Sequence, residues 1–191
     1  MFLLLFKFKR YIKNLYLKLS NKIKLLEWQK LHKNRFIYGK EITMGTMFKI
    51  FFDDSTSVIK MGDFVQFRSF CQIRSGMNGT LVIGNRVFFN SYCSINCMQE
   101  IIIGDDCQFG EGVKFYDHNH KSNNKCFKIN EQGYSTGNIR VGNNCWIGSD
   151  VIILKDVEIG DNVIIGAGCI IHKSIPSNSK IVSEQHLKLL K

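Results

Sequence analysis

The chain has 191 residues, 45% of them apolar and 22% charged, which suits one soluble globular domain with a flanking segment. Its formal charge of +10 belongs to residues 1–40, where eleven Lys and Arg face the single acid Glu27; the neutral remainder offers no net charge to nucleic acid. Seven cysteines without a CxxC pair, a five-residue apolar run (Phe2 to Phe6) followed rather than preceded by charge, and no span of roughly 18–20 apolar residues argue against a disulfide framework, a signal peptide and a membrane-spanning protein. The expected location is the cytoplasm, with reduced thiols.

Residues 1–40 form a basic prefix. Residues 1–35 read as helix, because Phe8, Ile12, Leu15, Leu19, Ile23 and Leu26 recur at helical spacing with lysines mostly between them. Such a helix rests on an anionic membrane surface through residues 1–27, peripheral to the inner face of the membrane, or it packs on the folded body or on other copies of the chain.

A six-residue repeat follows. MGDFVQ, FRSFCQ and IRSGMN start at Met61, Phe67 and Ile73; IGNRVF, FNSYCS and INCMQE start at Ile83, Phe89 and Ile95; IGDDCQ, FGEGVK and FYDHNH start at Ile103, Phe109 and Phe115. From Val141 the run VGNNCW, IGSDVI, ILKDVE, IGDNVI, IGAGCI, IHKSIP is unbroken. The blocks measure 18 residues, or twice 18, so the unit is a triangular coil of three flat sides, and five coils are counted. The first position carries a large apolar residue that fills the coil, and the fifth is a smaller Val or Cys in eleven hexapeptides, from Val65 to Cys169. Cys71, Cys93, Cys107, Cys145 and Cys169 hold fifth positions and read as small buried hydrophobes; Cys97 and Cys126 lie off that position. Glycine is frequent at the second position, where it is expected to permit a corner conformation. Stacking is what buries the face of each coil. The domain boundaries are therefore 1–40 for the prefix, 41–178 for the repeat domain with a loop at 121–140, and 179–191 for a tail.

These hexapeptides, the segment FYDHNH, the loop and the terminal repeats resemble the hexapeptide-repeat acyltransferases over roughly residues 58–178. The branch is similar to the maltose and galactoside acetyltransferases and to the O-acetyltransferases of surface-polysaccharide gene clusters. The resemblance implies an all-β, left-handed parallel β-helix. It also implies a homotrimer with active sites between subunits, and transfer of acetyl from acetyl-CoA to a sugar hydroxyl.

Deprotonating a hydroxyl requires a base, and histidine is the usual one. His120, sixth in its hexapeptide, matches the register of the family base; His118, fourth, is its rival. Asp117 either orients an imidazole or caps the turn. Asn90 replaces the usual Gly of its hexapeptide and matches an Asn near the acceptor and oxyanion, or else serves only as a corner residue. Tyr134, in the loop that closes over the acceptor in the family, is a candidate acceptor contact. For acetyl-CoA the resemblance points to Trp146, Gly148 and Ser149, to Ala167 and Gly168, and to His172 and Lys173. His172 departs from the family Thr, and the segment after Pro176 departs from the family's usual ending. No metal is expected: His118-x-His120 offers two ligands where zinc catalysis wants three. Transfer to an amino sugar, serine or a drug keeps the fold and changes the acceptor. A non-enzymatic scaffold is the reading of a different class, and calorimetric titration with CoA separates it from an enzyme.

Overall fold

The computed structural model describes residues 2–123 and 127–184, without the side chains of residues 2–4, 13 and 14. Cys126 and the last part of the tail, 185–191, lie outside the described residues. The chain opens with helix α1 (Phe2–His32) and continues as a parallel β-solenoid, consistent with the left-handed β-helix implied above. Among the described residues no helix is long and apolar enough to cross a membrane.

Three parallel sheets form the three sides. The first face stacks Phe36–Tyr38, Val58–Met61, Thr80–Ile83, Glu100–Ile103, Asn138–Val141 and Val157–Ile159. The second runs from Thr43–Met44 through Trp146–Ile147 and Ile164–Ile165 to Lys180–Ile181, and the third from Lys49–Phe52 through Lys114–Tyr116 to Ile170–Ile171. Strands of these three faces pair with the coil above and below, so each gains its ladder from residues about one coil away.

The solenoid has six coils, one more than the repeat count. The extra coil is the first: YGKEIT, MGTMFK and IFFDDS occupy 38–55, with Gly39 and Gly45 in second positions and Ile42 and Phe48 buried in fifth positions. Its opening strand, Phe36–Tyr38, falls inside the segment 1–40. The aromatic first residue Tyr38 and the five-residue insertion after Ser55 obscure the period there.

First positions and the Val, Cys, Ile and Phe fifth positions form the core; in the third-face hexapeptides of coils two to four the fifth residues Met77, Gln99 and Asn119 are exposed and the third residues Ser75, Cys97 and Asp117 are buried instead. Inside the second face Phe48, Phe67, Phe89 and Phe109 make a continuous ring ladder with centroids 4.6, 4.6 and 4.7 Å apart. The second-position glycines do a different job from the one expected. Their φ angles are not left-handed; the left-handed corner is the fourth position, held by Asp106, Asn144, Asp150, Asn162 and Gly168, but also by Phe64, Phe70, Arg86 and Tyr92. Second-position glycine is a packing requirement. A Cβ on Gly39, Gly62, Gly84 or Gly104 would stand 2.7–2.8 Å from the backbone carbonyl carbon of the next glycine in the column. The third position ties the coils together: Asp63, Asn85, Asp105, Asn143 and Asp161 each accept the backbone N–H of the equivalent residue one coil below, at 2.6–2.9 Å.

The fifth-position cysteines add a weak polar link. The thiols of Cys93, Cys107 and Cys145 donate to the carbonyls of Gly110, Gly142 and Gly160 in the next coil at 3.1–3.2 Å. They are otherwise small core residues, as the pattern indicated.

Candidate active site

The third face of the fourth coil ends at Tyr116, and the chain leaves the solenoid at Asp117. His118–His120 runs outward and Tyr134–Thr136 runs back as its antiparallel partner, with His118 opposite Thr136 and His120 opposite Tyr134. The histidines therefore do not occupy the fourth and sixth solenoid positions that the hexapeptide count assigned to them. They lie on a hairpin arm, because the antiparallel pairing takes over where the coil stops. The arm is tied to the solenoid wall by Gln99, whose amide nitrogen donates to Asn138 and whose carbonyl accepts from the Thr136 hydroxyl.

Asp117 has no exposed surface. A buried carboxylate is costly unless donors surround it, and here three do. It accepts the backbone N–H of Met98 at 2.8 Å, that of Gln99 at 2.7 Å, and His118 Nδ1 at 3.0 Å. It thus both caps the turn of the coil below and orients an imidazole. The oriented ring is His118, 15% exposed; His120 is exposed on the arm. A carboxylate only accepts, so Nδ1 is assigned as the donor, which in the neutral ring leaves the lone pair on Nε2. Cys97 borders the carboxylate from the core side; burial first, and the Asp117 charge second, push its thiol up, so it stays neutral.

Tyr134 joins the two histidines: its ring is edge-on to His118 at 5.5 Å and tilted against His120 at 4.6 Å. Tyr116 also stands edge-on to His118, at 6.5 Å. Gln99, Tyr116 and the Met98 amide were not singled out from sequence. They lie outside the repeat signal or in its ordinary outward positions, and only the strand pairing brings them to Asp117 and His118.

The residues expected to meet acetyl-CoA fall into two groups. Trp146 is 56% exposed on the outer second face, and Gly148 and Ser149 follow at the next corner. Ala167 and Gly168 stack on that corner one coil on: the Gly168 N–H donates to the Ser149 carbonyl at 2.8 Å, and a Cβ on Gly148 would lie 2.6 Å from the Ala167 nitrogen. Gly168 has φ +73° with open space where a Cβ would be, so bare backbone faces outward. His172 and Lys173 are exposed but sit after Ile170–Ile171, at the far end of the third face.

Asn90 shows the same division. Its Oδ1 accepts the Ser91 N–H at 2.9 Å at the start of the third face. The strand Ser94–Cys97 separates it from Met98, the residue that binds Asp117, a path of about 25 Å at roughly 3.3 Å per residue. Within one chain, Asn90 and the Trp146–Gly168 group lie at one corner, and His118, His172 and Lys173 at the next. Among the described residues no group of three His, Cys, Asp or Glu is arranged to hold a metal ion.

The fold and this arm define a hexapeptide-repeat solenoid with a histidine–carboxylate pair at the point where the repeat breaks. Residues 138–173 match the family model for the bacterial transferase hexapeptide (six repeats). Solved structures share the fold. The N-acyltransferase AntD from Bacillus cereus, as a variant in complex with dTDP and coenzyme A, is 20% identical with a TM-score of 0.67, over 82% of this chain and 83% of that one. Galactoside acetyltransferase in complex with coenzyme A is 24% identical with a TM-score of 0.51, over 86% and 75%. The polySia-specific acetyltransferase NeuO is 18% identical with a TM-score of 0.50, over 78% and 79%.

Proposed function

We propose that this protein is an acetyl-CoA-dependent O-acetyltransferase acting on a hydroxyl of a sugar in a surface polysaccharide or its precursor. The observation that carries the reading is the buried Asp117 holding His118 at the root of the hairpin arm. His118 is the base in this proposal, in place of the register-based choice of His120, because the orienting carboxylate meets His118. Its Nε2 takes the hydroxyl proton as the acceptor oxygen attacks the thioester carbonyl carbon. The carbon–sulfur bond then breaks, and the imidazolium returns the proton to the departing thiolate. No acyl-enzyme forms. His120 and Tyr134 flank the acceptor.

The split between corners supports assembly as a homotrimer. The His118 corner of one subunit then faces the Asn90 and Trp146–Gly168 corner of its neighbour, and Asn90 serves the oxyanion or the acceptor. Trp146, Gly148, Ser149, Ala167 and Gly168 line the pantetheine arm, with His172 and Lys173 near the phosphate end; the bare Gly168 backbone supports this. Coenzyme A in the AntD and galactoside acetyltransferase complexes supports the donor.

The test is CoA release from acetyl-CoA with a panel of nucleotide-, lipid- and oligosaccharide-linked sugars. His118→Ala is expected to lower kcat by roughly 10²–10⁴-fold and His120→Ala by less than about tenfold. Normal turnover in His118→Ala would overturn the assignment. An amino-sugar acceptor is the second reading, favoured by the fold match to an N-acyltransferase. Transfer only to amine members of the panel would establish it.

A further inference from the structure

Helix α1 is held to the solenoid by its C-terminal half alone. Asn21 is buried and its amide donates to the Met44 carbonyl at 2.9 Å; Leu25 is buried, and Trp28 packs edge-on to Phe36 and Phe48. Every described side chain from Leu5 to Tyr16 is exposed, so the described part of the first half of the helix buries none of its side chains against the body.

The exposed face has an order that solvent does not require. At about 100° per residue, Leu5, Phe8, Ile12, Leu15, Leu19, Ile23 and Leu26 project within a stripe about 100° wide. These residues are 46–61% exposed. The face that packs on the solenoid, carrying Leu17, Asn21, Leu25 and Trp28, lies roughly opposite. From Leu5 to Ile23 the stripe lies on the side of the helix opposite that contact; only Leu26, at its end, also lines the cleft between the helix and the first coil. Lys18 and Lys22 border it on one side and Lys9 on the other. Lys18 and Lys22 also join Lys40 around a cleft of about 370 Å³ between the helix and the first coil.

We infer that this stripe is a membrane-surface contact and that its partner is a bilayer rich in anionic lipid. Apolar side chains bordered by lysines are the pattern of a helix lying in the interface plane, with the apolar face among acyl chains and the ammonium groups at the phosphates. Association with another copy of the helix is disfavoured by charge. Within residues 1–40 only Glu27 is acidic against eleven basic residues, so a helix bundle would bring like charges together with almost no opposite charge to pair them. The same excess is complementary to a negative surface. The inference is independent of the chemistry assigned to His118.

The test uses the full chain in co-sedimentation with vesicles of phosphatidylglycerol and phosphatidylethanolamine, beside vesicles of phosphatidylcholine alone. The protein is expected to pellet with the anionic vesicles and to be released at 1 M salt, where the screening length falls to about 3 Å. Ile12→Glu/Leu15→Glu/Leu19→Glu is expected to reduce binding by at least about tenfold, and Lys18→Glu/Lys22→Glu to reduce it severalfold. The three stripe positions are about half exposed and lie on the side of the helix opposite Asn21 and Leu25, so the triple variant should keep the wild-type thermal transition. Its sedimentation velocity without lipid should also be unchanged. Equal binding by the triple variant, equal binding to neutral vesicles, or a change of oligomeric state in the triple variant without lipid would overturn the inference, the last result assigning the stripe to a second copy of the chain.

Discussion

Asp117 links scaffold to chemistry because its carboxylate answers the Met98 and Gln99 amides of one coil and the His118 ring of the arm together. Asp117→Asn keeps the volume but turns one oxygen into a donor among donors. It is expected to lower kcat by on the order of 10²-fold or more by releasing the ring from its tautomer. It should also cost about 1–3 kcal/mol of stability for the unpaired groups; steady-state rates and a denaturant titration check the two effects separately. Asp54 is a purely structural counterpart at the junction of the first and second coils. Burial opposes its charge, but N–H donation from Ser57, Asn78 and Thr56 and the Ser57 hydroxyl outweigh burial and hold the carboxyl well below its ordinary range. Because the folded pKa is the lower one, this stabilisation is present above the unfolded value of about 3.9 and is lost as pH falls below it. The gap in unfolding midpoint between wild type and Asp54→Ala should therefore be wide at pH 7 and close as the pH is lowered below about 4.

At the scale of the element, each coil is specified by a packing rule and a backbone rule at different positions. The column of second-position glycines sets how closely coils approach at one corner, so a single methyl there has nowhere to go. Gly104→Ala would place a Cβ 2.8 Å from the Gly142 carbonyl group and is expected to cost about 1–3 kcal/mol in equilibrium unfolding. Backbone freedom is needed instead at the fourth position. In the later coils Asn, Asp or Gly supplies it, whereas Phe64, Phe70, Arg86 and Tyr92 carry that strain in the earlier ones. Part of the cost is offset by contacts made from the corner: Phe70 stacks on Tyr92 at 5.0 Å, and Arg86 forks onto Asp106.

At the scale of the molecule, the homotrimer proposed above has a site that draws on two copies of the chain, with Asn90 and His118 at successive corners of each. If so, His118→Ala and Asn90→Ala subunits, each inactive alone, should recover part of the activity when unfolded, mixed and refolded together. Mixed trimers would then contain interfaces with both residues intact. Activity no higher than the average of the separate variants would place both residues in a site formed within one subunit.

The repeat pattern was enough to read a triangular solenoid, its core and the buried state of most cysteines. Inward-facing side chains recur at fixed intervals, and stacking neighbours only repeats what one coil states. It was also enough to find the break in the repeat, and hence the neighbourhood of Asp117, His118 and His120. The first coil was harder to see, since Tyr38 and the insertion after Ser55 weaken the period although Gly39 and Gly45 preserve it. Which histidine meets the carboxylate was not legible, because that depends on where the parallel ladder stops and the antiparallel hairpin begins. The true role of the second-position glycines was equally hidden: it is set by the distance to the coil above, a contact between residues about 20 apart in sequence. Local period determined the coils; the contacts between them, and the arm that leaves them, were decided only in three dimensions, where hydrogen bonds join residues that no local pattern connects.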